Sequence, residues 1–480
     1  MNGKGLTEDW LSLIIGLVVF ILSLGLVANM DVLGWVVTTN VWMDLGTALA
    51  PVSKAYAGLG GVGSLIATYV GMLVLMTAGA AAMGIPAGRF IPRFTVVFLL
   101  AYACWIFGSW AHMALNTPAA MEKAGISWSL RLTPEGGFVV ALVVGLIVGN
   151  FLPGFAAWMQ EAVKPELYVK IAIVILGGFL GIVSAEKLGL ATSLMFLGLA
   201  AIIVAYLIFW SVVYYVARVW FGFSREWAAP LASGISVCGV SAAIATGAAI
   251  RARPTVAVMV SSLVVIFAVV ELLILPAIAG AFLDQQPIAA GAWMALSVKT
   301  DGAAVASGSI TEALILAKNA AAGIKYQPGW ILGTAATVKV FIDIFIGVWA
   351  FVLAWVWTKH IEVRAGDTVK VREIWDRFPK FVIGYVLTFI IILLVALTAS
   401  APTVAAVKAA MNEANVFRGI FFVLTFFTIG VMSNFRKLWE EGIGRLAGVY
   451  LLTLFGFVIW VGLVISLLFY AGVKPPLVTG

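Results

Sequence analysis

Two stretches of small residues decide the expected fold: Ser236–Gly247 (SVCGVSAAIATG) and Ser297–Gly308 (SVKTDGAAVASG). They lie 61 residues apart and align without a gap, with six of twelve positions identical. Gly, Ser and Thr weaken a helix, and the Ala-rich residues that follow favour one. Each stretch therefore predicts a helix that breaks and then restarts. The alternative is chance similarity, because Ala, Gly and Ser are common wherever helices pack closely.

The composition around these stretches is that of a membrane protein. The 480 residues are 63% hydrophobic and 11% charged, and the mean hydropathy is +1.10. An ordinary soluble domain is roughly 45–50% apolar and about 25% charged. Too few polar side chains exist to cover a soluble surface, which excludes a soluble enzyme, a disordered chain and a nucleic-acid-binding protein.

The few residues that bind metals or form disulfides are scattered. Cys104 and Cys238 both lie in apolar runs, so no disulfide framework is expected. His112 and His360 are too few for a His-based metal site. We expect no metal, no cofactor and no catalytic residue set. The net charge of +7 is typical of basic cytoplasmic loops.

Apolar runs long enough to form helices cover most of the chain. They lie at about 10–28, 64–83, 94–116, 136–153, 166–183, 192–221, 226–250, 255–283, 288–316, 328–358, 378–398, 416–435 and 445–471. A β-barrel would show runs of about ten residues with alternating polarity. The sequence therefore predicts an all-α polytopic membrane protein with about 11–13 transmembrane helices. Its broken helices are expected to meet near the membrane midplane.

Basic residues set the predicted orientation. The loops 359–377 and 436–445 are rich in Lys and Arg, and two apolar runs separate them. They should share the cytoplasmic side. If every run crosses, the N-terminus is cytoplasmic, and a bacterial inner membrane is expected; one re-entrant run would reverse part of this. We expect residues 1–134 to form an N-terminal extension of about three helices and 135–475 a transporter core.

Two pairs of glycines have the spacing of helix contacts. Gly145 and Gly149 are four residues apart, as are Gly177 and Gly181. Such pairs let two membrane helices approach closely. We expect helix packing at both pairs, with no ligand.

The two predicted helix restarts form a candidate anion site. Each restart exposes unpaired N–H groups and carries about +0.5 charge. Two such ends near the midplane are the arrangement that transporters with internal repeats use to bind anions. The sequence leaves open whether the two elements run parallel or are inverted.

Charged residues inside the apolar runs mark further functional candidates, because such residues are costly in a membrane. They are Glu271, Lys299, Asp301, Lys339 and Asp343, with Arg251 and Arg253 directly after the first element. Lys339 and Asp343 have i, i+4 spacing, so an internal ion pair that fixes packing is an equal alternative. A structural role is also an alternative for Glu271, as is a loop anchor for the two arginines.

The stretch Ser233–Thr246 resembles the signature of the YeiH-type family, for which sulfate export has been suggested. The resemblance continues through Gly145–Asn150, Val298–Gly308 and Ala335–Lys339, and it covers roughly residues 135–471. It implies a secondary transporter of the cation/proton antiporter and anion transporter superfamily, with helices broken near the membrane centre.

The resemblance also implies site residues. The matching positions are Ser236, Cys238, Gly239 and Ser241 in the first element, Thr300 and Gly302 in the second, and Lys339. This chain departs from the family pattern at 299–301, where it has Lys-Thr-Asp. We add Lys299 as a substrate-binding candidate, and Asp301 and Asp343 as candidates for coupling a proton or Na⁺.

These observations predict a secondary transporter of a small anion. Sulfate or a related sulfur oxyanion or organosulfonate is the leading substrate. The direction of transport is left open between export and import. The alternatives are an anion channel and an intramembrane enzyme, and we expect no enzymatic activity. The expected partners are the anionic substrate and the lipid bilayer, with a homodimer left open and no nucleic acid.

Overall fold

The structure is a computed structural model, and it describes residues 6–115, 118–130, 136–361, 375, 378–434 and 444–478. Helices dominate it. Within the described part, ten helices are long and apolar enough to cross a membrane, or eleven if a bent pair counts as one span. The chain is therefore a multi-pass α-helical membrane protein.

The helices of the first half are α1 (Glu8–Ser23), α2 (Gly60–Ala82), α3 (Ala87–Gly108), α4 (Ala111–Ala114), α5 (Pro118–Lys123), α6 (Gly136–Phe151), α7 (Pro153–Met159), α8 (Pro165–Glu186), α9 (Leu188–Tyr215), α10 (Arg225–Ser236) and α11 (Val240–Ala249). Those of the second half are α12 (Pro254–Phe282), α13 (Pro287–Ser297), α14 (Asp301–Ala321), α15 (Trp330–Val356), α16 (Phe381–Thr398), α17 (Ala401–Met432), α18 (Gly444–Thr453) and α19 (Ile459–Tyr470). Short π-helical turns extend three of them, at Val216–Trp220, Trp357–Ile361 and Leu454–Val458.

The helices follow the apolar runs of the sequence. The runs 226–250 and 288–316 each contain two helices, α10 with α11 and α13 with α14. The run at 136–153 continues into α7 through a bend of 113°. Residues 362–374 and 435–443 lie outside the described residues, and they include most of the basic residues on which the predicted orientation depends. The predicted domain boundary at 134 also lies outside the described residues. Orientation and boundary stay predictions.

Within the described residues, a small β-hairpin is the one sheet in an otherwise helical chain. Strands β1 (Val37–Thr39) and β2 (Leu49–Pro51) pair antiparallel, with Val37 opposite Pro51 and Thr39 opposite Leu49. Short 3₁₀ turns lie before it at Leu24–Ala28, between its strands at Leu45–Thr47 and after it at Lys54–Leu59. Three residues per strand are too few to bury a core.

Residue contacts divide the chain into two compact units. Unit 1 comprises Met1–Leu190, Leu316–Tyr326 and Lys380–Met432, and unit 2 comprises the remainder. In unit 1, the acidic first turn of α1 contacts α8 through ion pairs. Lys170 lies 2.8 Å from Asp9, and Lys164 lies 3.0 Å from Glu8. These pairs fix the N-terminal helix against the centre of the unit.

Close helix packing in unit 1 depends on the two predicted glycine pairs. A Cβ added at Gly145 would lie 2.2 Å from the Phe427 carbonyl oxygen of α17, and one at Gly149 would lie 2.4 Å from the Val431 oxygen. On α8, a Cβ at Gly177 would lie 2.4 Å from the Tyr385 oxygen of α16. Backbone therefore packs directly on backbone, and the packing role predicted from the spacing is confirmed.

Unit 2 is built around α13. All eleven of its residues are buried, and the helix packs against α15 and α19. Gly291 makes the contact with α15 close, since a Cβ there would lie 2.4 Å from the Ile331 oxygen. The Trp293 indole donates to the Ile459 oxygen at 2.8 Å. A helix enclosed on every side can end inside the unit, because neighbouring protein can satisfy its terminal backbone groups.

The glycine contacts in unit 1 give a stability prediction. We expect Gly145→Ala to lower the free energy of unfolding by about 2 kcal/mol, because its Cβ must push α6 away from α17. Thermal unfolding in detergent measures this. Gly154→Ala is the matched control, since nothing lies within 4 Å of a Cβ there. Equal melting temperatures for both variants would contradict the prediction.

Candidate functional site

The two helix breaks lie where the repeat predicts them. Helix α10 ends at Ser236 and α11 begins at Val240. Helix α13 ends at Ser297 and α14 begins at Asp301. Each boundary of the first break corresponds to one of the second at the same offset of 61 residues. The sequence repeat is therefore also a repeat of local structure, and the predicted breaks are confirmed.

Gly239 produces the first break and brings it against the second. Its φ is +64°, a conformation that favours glycine. A Cβ at this position would lie 2.3 Å from Cγ1 of Val264 and 2.9 Å from the carbonyl oxygen of Lys299. Only a residue without a side chain lets the two breaks approach this closely.

A carboxylate and a hydroxyl hold the second break. Oε2 of Glu271, on α12, accepts the backbone N–H of Lys299 at 3.0 Å. Oγ1 of Thr300 accepts the N–H of Ala303 at 3.2 Å and so caps the restart of α14. The sequence shows Glu271 as an isolated charge in an apolar run, and the structure gives it a structural contact. Its role in fixing the backbone of the second break could not be read from spacing.

Lys299 points its side chain back along α13. Its ammonium donates to the carbonyl oxygen of Leu296 and lies 5.0 Å from the centre of the Phe209 ring on α9. A cation over an aromatic face is stabilised by the ring quadrupole. Phe209 is a contact that the sequence does not reveal, because nothing distinguishes it from other apolar residues of its run.

Lys339 joins the two breaks. Its ammonium, carried by α15, donates to the carbonyl oxygen of Val237 at 3.0 Å and to that of Val298 at 3.3 Å. It also lies 3.9 Å from Oδ1 of Asp301. The lysine is fully buried. One side chain therefore satisfies a carbonyl in each break and contacts the carboxylate at the start of α14.

Three potential ligand atoms cluster beside this lysine. One atom each from Cys238, Asp301 and Asp343 lies within 4.8 Å of the others, and all three residues are buried. The distances would suit a single cation, but the donor set mixes one soft ligand with two hard ones, a combination that suits few metals besides zinc. A thiolate favours soft metals and carboxylates favour hard ones, and the ammonium of Lys339 already brings a positive charge to Asp301.

The charges of the cluster nearly balance. Its charged side chains are at most 2% exposed and comprise three acids and two bases, Glu271, Asp301, Asp343, Lys299 and Lys339. The acids exceed the bases by one formal charge. The N-termini of α11 and α14 each add about half a positive charge and the C-termini of α10 and α13 each add about half a negative charge, so the helix ends cancel and the excess of one negative charge stays.

The remaining predicted site residues lie at the same breaks. Ser236 is the last residue of α10 and is buried; within the described residues, its Oγ has no hydrogen-bond partner. Ser241 lies in the first turn of α11 and is half-buried, and Gly302 is the second residue of α14 and is buried. Their roles in binding a substrate stay predictions.

A further carboxylate positions the helix that carries Lys339. Glu312 of α14 accepts the backbone N–H groups of Gly329, Ile331 and Leu332 at 2.9–3.0 Å. These are donors that the first turn of a helix leaves unpaired. Glu312 thus caps α15. Glu312 lies near the polar end of the apolar run 288–316, and the sequence alone does not indicate that it caps α15.

The first break gives a prediction about folding. We expect Gly239→Ala to lower the free energy of unfolding by about 3 kcal/mol, since φ is unfavourable and Val264 blocks the new methyl group. Gly189→Ala is the control, with open space around its Cβ. A thermal midpoint unchanged from wild type would show that the breaks do not meet at Gly239.

The Glu312 cap of α15 gives a second prediction about stability. Glu312→Ala removes the acceptor of three N–H groups, and we expect it to cost about 3 kcal/mol of stability. Glu122→Ala, which removes an exposed glutamate, is the control. Thermal unfolding measures both, and identical effects would argue against the cap.

Comparisons with known proteins place the chain in a family. The family model described as Conserved hypothetical protein 698 matches residues 133–448. A UPF0324 membrane protein of Nitrosomonas europaea is 40% identical over 99% of this chain and 98% of its own length. One of Rhodopirellula baltica is 32% identical over 82% of this chain and 64% of its own length. An uncharacterized protein of Archaeoglobus fulgidus is 52% identical over 34% of this chain and 95% of its own length.

No solved structure matches the chain. The names of the first two relatives describe membrane proteins and state no substrate. Because the family model covers most of the chain and the Nitrosomonas relative aligns from end to end, this chain belongs to the UPF0324 family, which is the YeiH-type family.

Proposed function

We propose that the protein is a secondary transporter of a small anion, with sulfate as the leading substrate. The observation that carries the proposal is the pair of matching helix breaks that meet at the buried ammonium of Lys339. Broken helices inside a fully enclosed unit are costly, and in membrane proteins they are typical of substrate and ion sites.

The anion would bind at the helix restarts. The N-termini of α11 and α14 present backbone N–H groups with a partial positive charge, which suit an oxyanion. The buried hydroxyl of Ser236, with that of Ser241 or Thr300, would donate further hydrogen bonds. Lys299 and Lys339 supply the full positive charges within the same cluster.

Charge balance favours coupling to protons. A sulfate ion entering a site that already has one excess negative charge would bring the uncompensated negative charge to about three in a low-dielectric interior. Protonation of Asp301 or Asp343 reduces that cost and frees Lys339 for the anion. Na⁺ fits less well, because Cys238 offers a soft ligand and the ammonium repels a cation. The expected location is a bacterial inner membrane with a cytoplasmic N-terminus.

Counterflow in proteoliposomes tests the proposal. Vesicles loaded with unlabelled sulfate should accumulate labelled sulfate against its gradient when they contain the wild-type protein. We expect Lys299→Gln to reduce the initial rate at least about tenfold, through loss of a charge-assisted contact. Lys325→Gln, which removes an exposed lysine in the turn after α14, is the matched control.

Other functions give other outcomes. An anion channel would conduct sulfate without counterflow, and an enzyme would release a changed product. If the Lys299→Gln variant shows the same rate of counterflow as wild type, the site at the breaks is not the transport site. If the vesicles show counterflow of an organosulfonate and none of sulfate, the protein is still a transporter, and its substrate is the organosulfonate.

Asp301 gives a prediction about pH. The substitution Asp301→Asn imitates the protonated carboxyl and no longer competes with the anion for Lys339. We expect this variant to bind sulfate at least as tightly as wild type and to lose the pH dependence of binding. Sulfate affinity measured between about pH 5 and pH 8 tests this, since a competing carboxylate must titrate to act as a switch. A pH-independent wild type would contradict proton coupling.

Lys339 gives a prediction that separates charge from shape. Lys339→Ala leaves two carbonyl oxygens and Asp301 without the ammonium, so we expect lower stability together with loss of anion binding. Lys339→Arg keeps the charge but not the compact ammonium, and should restore binding only in part. Full binding by the Ala variant would limit Lys339 to a structural role.

A further inference from the structure

One face of α19 in unit 2 is buried, and it carries a glycine and a serine one turn apart. The buried residues of this helix are Ile459, Gly462, Ile465, Ser466 and Tyr470. A hydroxyl group on a buried face needs a hydrogen-bond partner, because leaving it without one is costly. Oγ of Ser466 is fully buried and, within the described residues, has no such partner. The packing of α19 therefore does not explain this hydroxyl.

Two contacts between α13 and α19 show where Ser466 lies. The Trp293 indole donates to the Ile459 oxygen at 2.8 Å. About one turn further along both helices, a Cβ added at Gly462 would lie 3.1 Å from Oγ of Ser297. The two helices thus advance in the same direction, so the next turn of α19, which carries Ser466, lies beyond the end of α13. Ser466 is therefore level with the second break.

The ammonium of Lys299 lies beside the same turn of α19. It donates to the carbonyl oxygen of Leu296 and lies 5.0 Å from the centre of the Phe209 ring. The Cβ added at Gly462 would lie 3.5 Å from Cβ of Leu296 and 3.8 Å from Cζ of Phe209. Gly462 therefore borders the two residues that the ammonium contacts. An ammonium has three N–H donors, and the Leu296 oxygen is its one hydrogen-bond acceptor among the described residues.

A second hydroxyl without a partner lies next to this ammonium. Ser297 is the last residue of α13 and is fully buried, and its Oγ has no hydrogen-bond partner in the described part of the chain. Both hydroxyls and the ammonium can donate, and the charge of Lys299 repels a cation. We propose that Ser297, Lys299 and Ser466 donate hydrogen bonds to one oxyanion, and that Gly462 leaves room for it. This inference rests on the proposed function, and it adds α19 to the anion site.

The chemistry of the three donors suits a tetrahedral oxyanion such as sulfate. Its oxygens point in several directions, so donors from α13 and α19 can bind one side while the N-terminus of α14 binds another. The contact with Lys299 is charge-assisted and therefore strong. Two buried hydroxyls without protein partners lower the stability of the empty site, which is a common consequence of building a binding site into a fold.

Serine variants separate a role in binding from a role in folding. We expect Ser466→Ala to weaken sulfate binding about tenfold, through loss of a hydrogen bond to a charged group. Since Oγ of Ser466 bonds to no described protein group, the melting temperature without sulfate should not fall. Ser297→Ala should give the same two results. Ser211→Ala, which removes an exposed serine hydroxyl of α9, is the matched control.

A glycine variant tests the space for the oxyanion. Gly462→Ala adds a methyl group 3.1 Å from Oγ of Ser297, and we expect it to weaken sulfate binding at least about tenfold. Gly456→Ala is the matched control, because Cδ1 of Leu452, at 3.8 Å, is the nearest atom to a Cβ there. Isothermal titration calorimetry with sulfate, on the full chain in detergent, measures each affinity, and thermal unfolding gives the melting temperatures.

The possible outcomes distinguish this inference from the transport proposal. If wild type binds sulfate and the Ser466, Ser297 and Gly462 variants bind it equally well, the inference is overturned and the transport proposal stands. Lower melting temperatures with unchanged affinity in the two serine variants would identify a buried water as the partner of the hydroxyls, which also overturns the inference. An equal loss of binding in the two control variants would do the same. Absence of sulfate binding by wild type would overturn both proposals.

Discussion

The contact on which unit 2 depends is the ammonium of Lys339 between the carbonyl oxygens of Val237 and Val298. A broken helix leaves carbonyl groups at the end of its first half without partners, and these are costly away from water. One cation meets this need for both breaks together. It does so at the C-terminal ends of α10 and α13, where the helix dipole favours positive charge.

This contact determines which helix ends at the breaks favour negative charge. With the C-terminal ends of the first half-helices satisfied by lysine, the N-terminal ends of α11 and α14 are left to favour negative charge. Asp301, at the start of α14, provides such a charge within the protein. An anionic substrate would bind at the same N-terminal ends of α11 and α14. In the proposed function, an incoming anion would therefore compete with the carboxylate of Asp301.

Part of this arrangement could be predicted from the sequence, because it depends on local chemistry. Runs of Gly, Ser and Ala marked the breaks, and glycine spacing marked the contacts of Gly145 and Gly177. Contacts between distant segments could not be predicted. The i, i+4 spacing of Lys339 and Asp343 suggests a pair within one helix, but it does not reveal Asp301 of α14 at 3.9 Å.

The same limit applies to groups that act on the backbone of another element. Glu271 and Glu312 each accept N–H groups from residues 17 or more positions away in the chain, and an isolated glutamate in an apolar run gives no indication of its acceptor role. An open cavity in unit 2, lined by Arg218, Arg225, Arg251 and Arg253, likewise combines residues from the turn after α9, the start of α10 and the turn after α11. Only Arg251 and Arg253 stood out in the sequence, as loop residues.

The balance of charge limits how the proposed transport can proceed. The buried cluster has three acids and two bases, and the partial charges of its two helix N-termini and two helix C-termini cancel, so one negative charge is in excess. A bound sulfate would add two negative charges to this excess, and the low dielectric of the surroundings makes each of them more costly. In the proposed transport, protons taken up by the resident carboxylates would offset this excess without a second ion. Protonation of the acids beside Lys339 would then lower the cost of moving an anion out of water.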